Sequence, residues 1–186
     1  PRRCCWWLPE RWGREGPVTG GWPFTRRELV AGLLVFLLTL PFVTARIYAS
    51  DEVQYFAWLR SWAFDRDVDF ENEYQHFHDA GVARDMPFHE TFLVRRNEAG
   101  RRENYGPVGS AILWAPFYAV GHVAARLTGQ PADGYSRPYV SPVAYPSAIY
   151  GGLALLLSAA IARQLVGYGL TASLIVCFGT PLVFYI

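Results

Sequence analysis

Tyr48-Ala49-Ser50-Asp51-Glu52-Val53-Gln54-Tyr55-Phe56 sets two adjacent carboxylates at the point where a long apolar run gives out. Upstream of it, Leu29 to Val43 is apolar apart from Thr39, with Pro41 near its end. Extended to Ala49, the run reaches about the 20 residues that a helix needs to cross a hydrocarbon core of ~30 Å. Residues 29–49 are therefore expected to form a transmembrane helix, with Arg46 snorkelling to the headgroups near its outer end. Asp51 and Glu52 would then be held at a fixed depth beside the membrane surface. A base acting on a lipid-linked substrate needs that placement. A helix cap needs it too, because Ser50 is a good N-cap and acids favour the start of a helix. The residues alone leave both readings open.

Charge is distributed unevenly around this stretch. Twelve of the sixteen acids lie between Asp51 and Glu103, and beyond them only Asp133 follows. A soluble domain needs charge over its whole surface, so the segregation argues for an integral membrane protein with one polar loop. The net charge of +1 gives no basic face for nucleic acid. All seventeen basic residues are arginine, which fits codon bias in a GC-rich genome. Cys4, Cys5 and Cys177 make neither a disulfide framework nor a metal spacing. The first residue is Pro1 and the last, Ile186, falls inside an apolar run, so a fragment of a longer protein is expected.

Working outward, residues 1–28 form an Arg-rich tail whose six arginines place it in the cytoplasm by the positive-inside rule. A signal peptide ending at Tyr48-Ala49-Ser50 is the competing reading, and the apolar segments that follow count against it. Residues 50–107 form the loop. Tyr55, Leu59 and Trp62 share a helical face, which predicts a helix lying along the membrane interface. The acids from Asp65 to Glu73 read as a solvated face, without the glycine of a calcium-binding EF-hand loop. His76, His78 and His89 lack the spacing of a zinc site and are expected at the surface. Residues 95–102 predict a turn with Gly100 at its tip. Beyond it, 108–127 is an embedded or transmembrane helix, 128–143 a linker, and 144–166 a transmembrane helix. Residues 170–186 begin a further one.

With Asp51-Glu52 after the first span, the aromatic segment behind it, Tyr105-Gly106-Pro107-Val108-Gly109 and Gly179-Thr180-Pro181-Leu182-Val183-Phe184-Tyr185, the chain resembles the N-terminal part of the GT-C class of polytopic membrane glycosyltransferases. That class includes family 39, the protein O-mannosyltransferases and the aminoarabinose transferases. The resemblance implies an all-α integral membrane fold, a multi-span helical bundle with a large first periplasmic loop containing juxtamembrane helices. It also implies a bacterial inner (plasma) membrane location, with the N-terminus cytoplasmic and loop 50–107 extracytoplasmic.

What the resemblance implies about activity is transfer of a sugar, with inversion, from a polyprenyl-phosphate donor to a hydroxyl of a glycan, lipid or protein acceptor. Asp51 would be the general base and Glu52 its orienting neighbour. The leaving phosphate needs positive charge, for which Arg95, Arg96, Arg101 and Arg102 are candidates. Asn104 and Tyr105 could line the site where the loop re-enters the membrane. A divalent cation, Mg2+ or Mn2+, stays open as a cofactor. The alternative from another class is a multi-span transporter or flippase of lipid-linked intermediates. That class favours ionisable or Gly/Pro-broken positions at mid-span in paired repeats, and the spans here hold few charges. A membrane-anchored binding protein would leave the later apolar segments without a purpose.

Overall fold

Pro41 decides where the first helix stops. The computed structural model describes residues 24–82, 86–166 and 175; in it α1 runs Arg26–Thr39 and closes in a 3-10 turn, Leu40–Phe42. Proline has no N–H and disfavours helix in the residue before it, and Val43 is already extended. The apolar helix Leu29–Phe42 is thus shorter than the span expected over 29–49. Residues 43–49 are irregular and lead into α2, Ser50–Arg60.

The remaining described elements are also helical, with no strand among them. A π-helical turn, Ser61–Asp65, extends α2. Then come α3 (Glu71–Asp79), α4 (Met86–Phe88) with a π-helical turn His89–Val94, and α5 (Val108–Thr128). A short α6 (Arg137–Val140) and a 3-10 turn, Pro142–Ala144, precede α7 (Pro146–Val166). The turn expected at 95–102 is present: Gly100 adopts φ 77° and donates its N–H to Asn97 O. Most of the tail and nearly all of 170–186 lie outside the described residues.

α2 is the centre of the polar half rather than a helix lying free at an interface. Val53, Phe56 and Ala57 are fully buried, at the i, i+3, i+4 spacing of one face. Phe56 meets Phe77 of α3 and Tyr118 of α5 edge-on, at 5.4 and 5.5 Å between ring centres. The face expected to be anchored, Tyr55, Leu59 and Trp62, is divided: Leu59 is buried, while Trp62 is 41% exposed. Tyr74 of α3, Phe88 of α4 and Phe92 of the π-helical turn behind it complete this aromatic core.

Ring contacts pair Tyr55 with Trp114, Phe56 with Tyr118 and Phe64 with His122, so α2 and α5 run side by side in the same direction. The segment 128–143 is docked rather than a free linker. Pro138 crosses α5 at Gly121, where a Cβ would lie 2.4 Å from Pro138 O. α5 is consequently two-faced. Ala111, Tyr118, Gly121 and Ala125 are buried, and Val108, Ile112, Val120, Val123 and Leu127 are exposed.

α1 and α7 leave the polar half together. Phe42 and Ser147 line one cleft, and Phe36 packs on Gly152 farther along both helices, which makes the pair antiparallel. Both expose leucines freely, among them Leu34, Leu38, Leu157 and Leu165. Two helical stretches, Val108–Thr128 and Arg137–Leu165, are long and apolar enough to cross a membrane. Only 22% and 17% of their most apolar windows are buried, whereas the core helix of a soluble domain is mostly covered.

Candidate active site

The first turn of α2 faces a cleft of about 290 Å3. Its walls include Val43 and Arg46 from the chain after α1, Glu52 from α2, Trp114 from α5, Ala144 just before α7 and Ser147 in its first turn. Glu52 Oε2 accepts hydrogen bonds from the N–H groups of Tyr48 (2.9 Å) and Ala49 (3.2 Å). That is half of a capping box. The cap falls on Ala49, not on Ser50 as expected, and an alanine has no side-chain acceptor to complete the exchange. Glu52 therefore pins the cleft wall to the helix that follows, and its Oε1 makes no hydrogen bond within the described residues. Asp51 occupies the same turn and is exposed.

Arg46 is the arginine in the cleft wall; it is exposed, its N–H donates to Thr44 O, and its guanidinium has no partner among the described residues. The four loop arginines named from sequence are elsewhere. Arg96 Nη2 holds both Glu71 oxygens at 2.9 Å, and its Nη1 donates to Gly100 O. Arg102 is buried and donates to Val94 O, Arg95 O and Glu71 Oε1. Burial alone would raise the Glu71 carboxyl, but Arg102 and Arg96 hold it below the usual range. These two arginines tie the 95–102 turn to α3. Arg95 and Arg101 are exposed, and Arg101 borders a different depression with Trp62, Arg66, Asp67 and Val68.

Asn104 and Tyr105 do come to α2, through Gln54. Asn104 Nδ2 donates to Gln54 O at 2.8 Å, and Tyr105 N–H donates to Gln54 Oε1 at 3.1 Å. Asn104 Oδ1 accepts from Gly106 N–H, and the Tyr105 hydroxyl bonds the Glu103 carboxylate. The pair clasps the chain entering α5 onto the second turn of α2. Gln54 is buried, so the two bonds it accepts satisfy groups that water does not reach, whereas the Tyr105–Glu103 bond is exposed.

A second polar cluster, missed from sequence, lies at the other end of α2. Arg60 continues the buried face of Val53, Phe56 and Ala57 by one more turn. Its Nη1 is 2.6 Å from Asp65 Oδ2 and 3.8 Å from Glu73 Oε1, and its Nε donates to Asp133 O. The guanidinium lies over the rings of Phe64 and Tyr135, 4.7 Å from each centre. Glu73 is wholly buried, and neither of its oxygens has a hydrogen bond within the described residues. Burial pushes its carboxyl up to about 8. Burial would raise Asp65 as well, but the bonds from Arg60 and Asn72 hold it below the usual range. Arg60 thus spends its charge on Asp65, leaving Glu73 close to neutral surroundings. His76, exposed as expected, stacks on Tyr135 at 4.0 Å.

Among the described residues no three His, Cys, Asp or Glu side chains group closely enough to hold a metal ion. In the Asp65–Glu73 segment, Asp65 and Asp67 are engaged instead with Arg60, Asn72 and Ser61. Set against known proteins, the chain matches no protein-family model, no curated protein and no solved structure.

Proposed function

We propose that the chain is the donor-side part of a membrane glycosyltransferase, which moves a sugar from a polyprenyl phosphate to an acceptor hydroxyl outside the cytoplasm. One observation carries the reading: Glu52 lines a cleft where the apolar pair α1 and α7 meets the polar half, and its chain neighbour Asp51 is an exposed carboxylate in the same helical turn. A polyprenyl tail would lie against the exposed leucines while its phosphate and sugar reach the cleft. Asp51 takes the proton of the acceptor hydroxyl as that oxygen attacks the anomeric carbon from the far side. The bond to the phosphate oxygen breaks, and the phosphate leaves with the electron pair and with the configuration inverted. Arg46 supplies positive charge there, a role the loop arginines do not reach. Glu52 holds the wall and Asp51 carries out the chemistry.

The topology we infer has α1 and α7 crossing an inner membrane, which leaves Arg163 on the same side as the N-terminal arginines. α5 lies along the outer boundary. It shares its length with α2, so sending it across would take Arg60, Asp65 and Glu73 to the same depth, where such groups are expensive. The two-faced burial of α5 suits a helix with one side on protein and the other dipping into lipid.

Transfer from a labelled polyprenyl-phosphate sugar, followed in membranes for wild type and Asp51→Asn, tests the assignment. Loss of transfer by about 100-fold or more, with equal insertion, is the expected result for removal of a general base. Unchanged turnover in the variant refutes the role of Asp51. Wild type inactive with every donor but moving the lipid-linked sugar across the bilayer would make the protein a flippase.

A further inference from the structure

We propose that the depression bordered by Trp62, Arg66, Asp67, Val68 and Arg101 binds an anionic saccharide, a sugar chain bearing carboxylates. The Trp62 indole would stack on a ring, with the Arg66 and Arg101 guanidinium groups on its acids. The depression is about 590 Å3, within the size range of ligand sites. Trp62 leaves 41% of its surface exposed beside it, and Trp58 backs the indole at 5.2 Å between ring centres. A large rigid aromatic face is thus offered outward from a fixed support, an apolar body suited to the C–H face of a sugar.

The charges are arranged for an anion. Arg60, Arg96 and Arg102 all have acidic partners, whereas Arg66 and Arg101 have none among the described residues. Arg66 is also the one described non-glycine residue with positive φ, at 60°, where it closes the π-helical turn by donating its N–H to Ser61 O. Glycine or asparagine would fill that position with less strain, so the conformation gives no reason for an arginine there. Its side chain, delivered to the depression, does. Asp67 offsets one of the two arginine charges and leaves the depression net positive; its Oδ1 accepts from Ser61 Oγ and Asp69 N–H, and Oδ2 is left as an acceptor for sugar hydroxyls.

Binding itself does not depend on the glycosyltransferase reading; calling the saccharide its acceptor does. The test titrates the protein, in nanodiscs of zwitterionic lipid, with trigalacturonate and with maltotriose as the neutral counterpart, reading tryptophan fluorescence and calorimetry. Trigalacturonate is expected to bind, more weakly as salt rises. Arg66→Gly, which suits the left-handed backbone and so preserves the fold, and Arg101→Ala should each weaken it about tenfold. Trp62→Ala should weaken both sugars. Asp51→Asn should bind as wild type does, which separates loss of this site from loss of the catalytic base. Equal affinity for maltotriose, no binding of trigalacturonate, or affinity indifferent to both arginine variants would each overturn the proposal.

Discussion

Glu73→Gln should flatten the pH dependence of stability, because Glu73 is folded as the neutral acid. The carboxyl is wholly buried, its nearest cation is 3.8 Å away and already paired with Asp65, and its folded pKa is raised from 4.5 to about 8. Between those values the native chain keeps a proton that the unfolded chain has released. Stability therefore falls as pH rises through the window; the contribution is complete below 4.5 and lost above about 8. At about 1.4 kcal/mol per unit, the window amounts to roughly 5 kcal/mol. For a chain of this size that is on the order of 10 °C or more in Tm. Glutamine keeps the shape and does not titrate. Wild type and variant, unfolded thermally in the same detergent from pH 5 to 8.5, should melt close together at pH 5. By pH 8.5 the variant should be several kcal/mol the more stable. Parallel curves across the range would mean that Glu73 is ionised in the fold, and the account of Arg60 as spent on Asp65 would be wrong.

Two further outcomes follow from packing and depth. Gly121→Ala should lower stability by about 1–3 kcal/mol, because the new Cβ meets backbone, Pro138 O at 2.4 Å and Tyr139 Cα at 2.9 Å. An unchanged melting temperature would mean that residues 137–140 are not seated on α5. Pro107→Cys and Gln130→Cys, at exposed positions flanking α5, should both react with a membrane-impermeant thiol reagent added outside, in a background lacking Cys4, Cys5 and Cys177. Protection of one end alone would show that α5 crosses.

The long apolar helices were legible because composition alone specifies them: 21 residues without an acid have few alternatives to α5 or α7. The turn at Gly100 was legible for a similarly local reason. α1 was read too long because a hydrophobic count does not register what Pro41 does to the backbone. The burial of α2 was not legible, since its two faces are almost equally apolar. Tyr55, Leu59 and Trp62 give as good a stripe as Val53, Phe56 and Ala57, and Arg60 on the second counts against the face that the fold buries. Glu73 was hidden by its acidic neighbours. Its burial depends on α3 docking against Arg60 and Tyr135, a contact between segments far apart in the chain. The capping by Glu52 was visible in outline as an acid in a first turn. That it holds the cleft wall depends on residues 43–49 leaving the helix early.

The two ends of α2 bear on each other through its stiffness. Eleven residues separate Asp51 from Trp62, about 16 Å along a helix at 1.5 Å per residue. The span between them is fixed by Gln54 under the re-entering chain and by Arg60 in its ring of partners. If Asp51 is the base and the arginine-lined depression holds the acceptor, the hydroxyl that reacts and the acids that are recognised must lie on different sugars. A monosaccharide cannot reach both places, so affinity at the depression should rise with chain length while attack at Asp51 still involves only the terminal unit. Recognition remote from the reacting atoms serves catalysis only when the intervening structure does not yield. The ion pair of Arg60 and Asp65, with the buried Glu73 behind it, lies where α2 must be held straight.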